Sequence, residues 1–121
     1  MARVSGCVLR VEGKDFDAKA FVAANDLKVI RLKDSSFNVD VSRREADDLP
    51  GQIQDALRFL ESHADVLQAL RSVRGVEMVL DFGIAQKDVA AQFVRLPSEL
   101  VRRAAEIGAG LEVSLYAVQD P

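Results

Sequence analysis

The chain has 121 residues, of which 16 are basic and 19 acidic, and 49% are hydrophobic, giving a formal net charge of −3. That length predicts a single domain over residues 1–121, with a core that needs no disulfide. One cysteine and one histidine exclude an internal disulfide and a four-ligand zinc site, and the mild acidity argues against nucleic-acid binding.

Residues 4–12 predict a first strand, because Cys7, Leu9 and Val11 alternate along one face. Val4 and Val8 make the opposite face apolar as well, which is typical of a central strand covered on both sides or nearly so. We therefore expect this strand in the middle of the sheet.

A short helix and a hairpin follow this strand. Asp15 or Asp17 can cap the helix, whose apolar residues recur at helical spacing up to Leu27. Residues 29–32 and 37–42 predict two strands joined by the polar turn 33–36. The second of these has an expected buried face and a wet face, which alternate as Phe37, Val39 and Val41 against Asn38, Asp40 and Ser42.

Residues 51–73 predict one long helix that is kinked or briefly interrupted near His63. Ser62 followed by Asp65 resembles a new capping box, which is why a break is expected there. Asp47 and Asp48 place negative charge where the helix dipole favours it. The apolar stripe of this helix steps by three and four through Ile53, Leu57, Leu60, Ala64 and Leu67.

The last part of the chain predicts two strands, a helix and a closing strand. Residues 76–82 alternate as a strand, and after the loop 83–88 residues 89–96 are its expected antiparallel partner. Ser98 is the expected cap of a helix whose core stripe includes Val101 and which ends at Gly108. Residues 111–116 alternate as the closing strand, and 119–121 form a tail.

The predicted order of elements is β-α-β-β-α-β-β-α-β. About six strands and three helices suit an α+β two-layer sandwich, in which the helices cover one face of a largely antiparallel or mixed sheet. The opposite face of the sheet is then expected to remain hydrated and accessible.

Carboxylates on that wet face are the remaining route to chemistry. If their strands are neighbours, they can gather on the open face with arginines as counter-ions and bind a cation or act as a carboxylate pair. Solvated cross-strand ion pairs, each worth less than about 1 kcal/mol, produce the same pattern and are the simpler interpretation. The acids are Asp40, Glu77, Asp81 and Glu112, the arginines are Arg10, Arg31 and Arg95, and the candidate ligand-binding residues are Asp40, Asp81, Glu112, Arg95 and Tyr116.

The other reactive residues favour structural roles. His63 lies on the predicted long helix, where a solvated histidine is far commoner than a catalytic one. Cys7 lies inside an apolar strand, where a thiol behaves as a small hydrophobe. The seven glycines match neither a phosphate loop nor a dinucleotide fingerprint, so we predict no catalytic residue, no metal and no cofactor.

Three stretches of the chain carry a family resemblance. The chain reads VLRVEGKDFD over 8–17, LPSEL over 96–100 and LEVSLY over 111–116, with leucines at 57, 60 and 67 between them. From Gly6 to residue 118 this order of features resembles the bacterial family called domain of unknown function 4279, although Phe37 stands where the family commonly has tryptophan. The resemblance implies a small α+β domain and brings no activity and no catalytic residues.

Two functions remain open. The first is a non-catalytic protein-interaction module, immunity-type or regulatory, that binds a protein partner or a second copy of itself through the sheet. The second is a small-ligand-binding or metal-binding domain, or an enzyme, that uses the carboxylates of the open face. We expect a cytoplasmic location without a membrane segment, because the chain has one unpaired cysteine and neither a long apolar run nor an apolar leader.

Overall fold

The computed structural model describes residues 5–117, so the tail predicted at 119–121 lies outside the described residues. Strands and helices follow one another along this part of the chain. They are β1 (Ser5–Gly13), α1 (Ala18–Asn25), β2 (Arg31–Leu32), β3 (Ser36–Glu45), α2 (Leu49–Ser62), α3 (Ala64–Arg71), β4 (Val76–Gln86), α4 (Ser98–Glu106) and β5 (Ala109–Ala117).

The strands form one mixed sheet in the order β2-β3-β1-β4-β5. β1 pairs antiparallel with both β3 and β4, and β2 pairs antiparallel with β3. β5 pairs parallel with β4, which it reaches through the crossover helix α4. The α+β class and the mixed sheet are confirmed, and β1 lies in the middle of the sheet.

One face of the sheet carries the core. Helix α2 packs on β3, β1 and β4, and α4 packs on β5. Only this face of β1 is covered, because Arg10 on the opposite face is half-buried and Glu12 is exposed. The strand residues buried against the helices are Cys7, Leu9, Val11, Phe37, Val39, Met78, Leu80, Phe82 and Ile84.

The segment 89–96 is not a strand, which corrects the predicted count of six. β4 instead continues to Gln86, and the side chain of Gln92 holds the segment that follows. Its Nε2 donates to the Ala85 carbonyl at 2.8 Å, and its Oε1 accepts from the Lys87 backbone N–H at 3.0 Å. Because β5 occupies the place beside β4, this segment does not pair with β4, and its side chains Val89, Phe93 and Val94 are exposed.

The predicted interruption near His63 is confirmed, but it separates two helices, which raises the helix count of the described chain from three to four. The capping box is wrong, because α3 begins without a side-chain cap. Ser62 instead turns its Oγ back to the Phe59 carbonyl at 3.4 Å. At the start of α2 Asp48 does cap the helix, since it accepts from the Gly51 N–H at 3.0 Å.

A β-bulge reverses the predicted exposure of Ser42. Val8 pairs with Asp40 but Cys7 pairs with Ser42, so Val41 is an extra residue in β3. Ser42 therefore faces the core at 3% exposure, where its hydroxyl donates to Asp55 Oδ2 at 2.7 Å.

The buried face of helix α4 differs from the predicted one. Its core residues are Leu100 and Ala104, with Ile107 just beyond its end, whereas Val101 is 47% exposed. Successive helical residues are about 100° apart, so Val101 lies on a flank of this stripe. Ser98 is the first helical residue and its side chain makes no cap bond, so the predicted Ser98 cap is wrong.

Candidate functional site

Three of the five candidate residues lie in one row across the open face of the sheet. Val8 of β1 pairs with Asp40 on one side and with Asp81 on the other, and Asp81 pairs with Glu112 of β5. Asp81 and Glu112 are therefore direct neighbours, whereas β1 separates Asp40 from them. The row contains acids, but it does not gather all three at one point.

Arg10 binds the two neighbouring acids of this row. Its Nη1 donates to Asp81 Oδ2 at 3.2 Å and its Nη2 to Glu112 Oε2 at 2.5 Å. The hydrogen bond to Glu112 is the main cause that raises the pKa of Arg10 above its ordinary value, with the charge of Asp81 adding to it. Ser114 donates to the second oxygen of Asp81 at 2.7 Å, so both Asp81 oxygens have partners.

This arrangement is suited to holding strands together and poorly suited to proton transfer. The Asp81 side chain is 13% exposed and both of its oxygens are hydrogen-bonded. A general acid or base needs an oxygen within hydrogen-bond reach of a substrate. Among residues 5–117, no group of three histidine, cysteine or acidic side chains could hold a metal ion.

Asp40 lies on the same face as Asp81 but across β1, on strand β3, where its neighbours are different. Its carboxylate pairs with Arg43 at 3.2 Å. Asp40 and His63 also line an open cleft of about 350 Å³ between the ends of α1 and α2. The His63 ring stacks on Phe59 with ring centres 4.3 Å apart, and its Nδ1 lies 2.9 Å from the Ser62 hydroxyl. These contacts are those of a histidine packed at the end of a helix.

The two remaining candidates are not part of this network. Arg95 is an exposed residue of the segment between β4 and α4, and no described contact joins it to Asp81 or Glu112. Tyr116 lies on β5 opposite Ala85 and is 41% exposed. Cys7 is fully buried, and burial raises the pKa of its thiol, which keeps it protonated and unreactive.

The outer edge of β5 is a feature that the sequence patterns did not reveal. β5 is the last strand of the sheet, and no described strand pairs with its outer side. Its nine residues carry one charge, that of Glu112, while Leu115 is 51% exposed. The low charge of 109–117 is visible in the sequence, but its position at an edge depends on the strand order. We use "β5 edge" for the outer side of Ala109–Ala117 together with the exposed side chains of Leu115, Tyr116 and Val101.

The opposite edge of the sheet, formed by β2 and β3, is protected against pairing with further strands. β2 covers β3 at Phe37 and Asn38, and the bulge at Val41 bends the strand beyond them. The rest of β3 is rich in charged side chains, which also discourage pairing. These are Asp40, Arg43, Arg44 and Glu45.

The segment after β4 carries an exposed aromatic ring. Phe93 is 91% exposed in the segment after β4. It lines a hollow of about 100 Å³ together with Ala46, Leu49 and Ile84, so it lies towards the connection between β3 and α2. This ring is therefore not part of the β5 edge.

Within the described residues no helix has the length and apolar character needed to span a membrane. No curated protein and no solved structure matches the chain. Residues 22–118 match the family described as "Domain of unknown function (DUF4279)". The match confirms the family resemblance, although the stretch 8–17 precedes it. Because the matched residues make up most of the chain, this protein belongs to the DUF4279 family.

Proposed function

We propose that this chain is a non-catalytic protein-interaction module that binds its partner through the β5 edge. The observation that carries the proposal is the nine-residue edge strand β5. It has one charged residue, Glu112, and its Leu115 is half-exposed. Natural proteins cover, charge or shorten such edges, because an open edge pairs readily with other chains.

Strand addition is the mode of binding that this surface supports. An extended segment of the partner pairs with the backbone of β5, and the main-chain hydrogen bonds provide affinity. The exposed Leu115 and Tyr116 lie on opposite faces of β5, since successive residues of a strand alternate. Each face therefore has a side chain that can select the partner's residues.

A regulatory or immunity-type role in the bacterial cytoplasm is part of the same proposal. Binding without chemistry suits such a role, and the unpaired buried thiol of Cys7 suits a reducing compartment.

A ligand site on the open face has less support. Arg10 and Ser114 already satisfy Asp81, and Arg10 also neutralises Glu112. Calcium and magnesium can test this alternative by thermal shift, because a ligand at 100 times its Kd adds about 2.7 kcal/mol of stability. We expect no shift, and a shift that Asp81→Asn abolishes would favour the ligand site.

Photo-cross-linking in the source cells tests the interaction module. A benzophenone amino acid replaces Leu115, and the same residue at Ile30 is the matched control, because Ile30 is 59% exposed and lies next to β2, at the other edge of the sheet. We expect an adduct of discrete mass from position 115 that is absent from position 30. Equal labelling at both positions, or no adduct at 115, would contradict the proposal.

A further inference from the structure

We infer that the partner at the β5 edge is a second copy of this chain, paired antiparallel through β5 about a two-fold axis at Val113. This inference rests on the proposed function and specifies its partner. Pairing of this kind joins the two five-stranded sheets into one continuous sheet.

The electrostatics of the edge permit two identical chains to meet. Each chain has a formal net charge of −3, so two copies need a neutral strip at which to approach. Glu112 is the only charged residue of β5, and Arg10 of the same chain neutralises it at 2.5 Å. The β3 side of the sheet offers no such strip, because Arg43, Arg44 and Glu45 follow one another there.

The sequence of β5 is complementary to itself in the antiparallel register that uses the whole strand. Ala109–Ala117 has its centre at Val113, so Val113 faces Val113 of the second copy and Leu111 faces Leu115. Glu112 faces the Ser114 hydroxyl, and no like charges are opposite each other, which would destabilise the pair. In this register the helices of both copies lie on the same face of the joined sheet.

Helix α4 supplies a second layer of contact. Arg103 on one flank is half-buried, whereas Val101 and Ala105 on the other flank are exposed. The Val101 flank therefore faces away from α2, towards the side where β5 ends the sheet. A two-fold axis at Val113 brings the two Val101 flanks towards each other and removes apolar surface from water.

Disulfide trapping tests the register. Paired Cα atoms in antiparallel strands are about 4.5–5.5 Å apart, within the range of a disulfide, so Val113→Cys should give a covalent dimer on mild oxidation. Ala117→Cys is the matched control on the same face, because its Cα atoms would be about 26 Å apart at 3.3 Å per residue. The native Cys7 is buried and contributes no background. A Val113→Cys protein that stays monomeric, or cross-links no more than Ala117→Cys, overturns the inference.

Light scattering after size exclusion tests the same inference without cysteine. The native chain should have twice the mass of one chain, Leu115→Lys should be a monomer, and Ile30→Lys should remain a dimer. A monomeric native chain refutes the homodimer. If position 115 then still cross-links to a different protein, the interaction module stands and only its partner changes; if it cross-links to nothing, both proposals fail.

Discussion

Gly6 shows how one residue determines the surroundings of Ser42. Its φ of +88° is a backbone conformation that favours glycine, and a Cβ at this position would overlap the Ser42 carbonyl oxygen. The alternation in β3 predicts Ser42 on the wet face, but the bulge next to Gly6 turns it inward. A bulge involves two strands, so the pattern of one strand does not predict it.

Gly6→Ala should therefore be strongly destabilising. We expect a loss of about 3 kcal/mol or more in the free energy of unfolding, because a positive φ and a backbone overlap act together. Gly75→Ala is the matched control, since its φ is +80° but no atom lies within 4 Å of the added Cβ. Its loss should be about 1 kcal/mol, from backbone strain alone. Urea denaturation measures both, and equal losses would contradict the role of the overlap.

Asp55 makes stability depend on pH in the acid range. The hydrogen bond from Ser42 lowers the pKa of Asp55, and Arg58 and Arg44 lower it further. Since the folded pKa is below the unfolded one, the unfolded chain takes up the proton first as the pH falls. The stabilisation is complete above the ordinary aspartate pKa of about 4 and is lost below it.

Asp55→Asn should flatten this dependence. We expect the variant to be less stable than the native chain at neutral pH and to lose less stability on acidification. Free energies of unfolding from urea titrations at neutral pH and at about pH 3 would measure it, on either side of the ordinary pKa. Parallel pH profiles for the two proteins would contradict the assignment.

At the scale of elements, local sequence signals predicted that a helix or strand is present better than they predicted where it begins and ends. Asp17 caps α1 by accepting from the Ala20 N–H at 3.1 Å, as one of the two predicted caps. Residues 89–96 are predicted as the antiparallel partner of β4, yet they form no strand, because β5 already pairs with β4. Strand formation needs a partner, and partner availability is not a local property.

The starts of α2 and α4 should respond differently to mutation. Asp48→Ala removes the bond to the Gly51 N–H and should cost about 1 kcal/mol of stability. Ser98→Ala removes no cap bond at α4 and should change stability by less than about 0.5 kcal/mol. Thermal or urea unfolding of both variants measures the difference, and a larger loss at Ser98 would refute the cap assignment.

At the scale of the whole molecule, Gln52 joins the helical layer to two strands. It is fully buried, and its Nε2 donates to the Glu45 carbonyl at 3.1 Å and the Gly83 carbonyl at 2.9 Å. Nothing in the amphipathic pattern of α2 marks this glutamine as buried. Its partners lie on β3 and β4, so its role arises only when the layers pack.

Gln52→Leu should destabilise the fold by about 1–3 kcal/mol, because two carbonyls lose their donor. Gln68→Leu is the matched control, since Gln68 is exposed and makes one long bond of 3.4 Å to the Glu106 carbonyl. It should change stability by less than about 0.5 kcal/mol. Similar losses from both substitutions, measured by urea unfolding, would contradict the bridging role.

The sequence by itself determined the α+β class, the family and the buried face of β1, because hydrophobic periodicity acts over a few residues. Only the tertiary structure decided that β5 ends the sheet, that Val41 forms a bulge and that Arg10 binds Asp81 and Glu112. Arg10 and Glu112 are 102 positions apart in the chain. Contacts at such a separation depend on strand order and register, which short-range patterns do not contain.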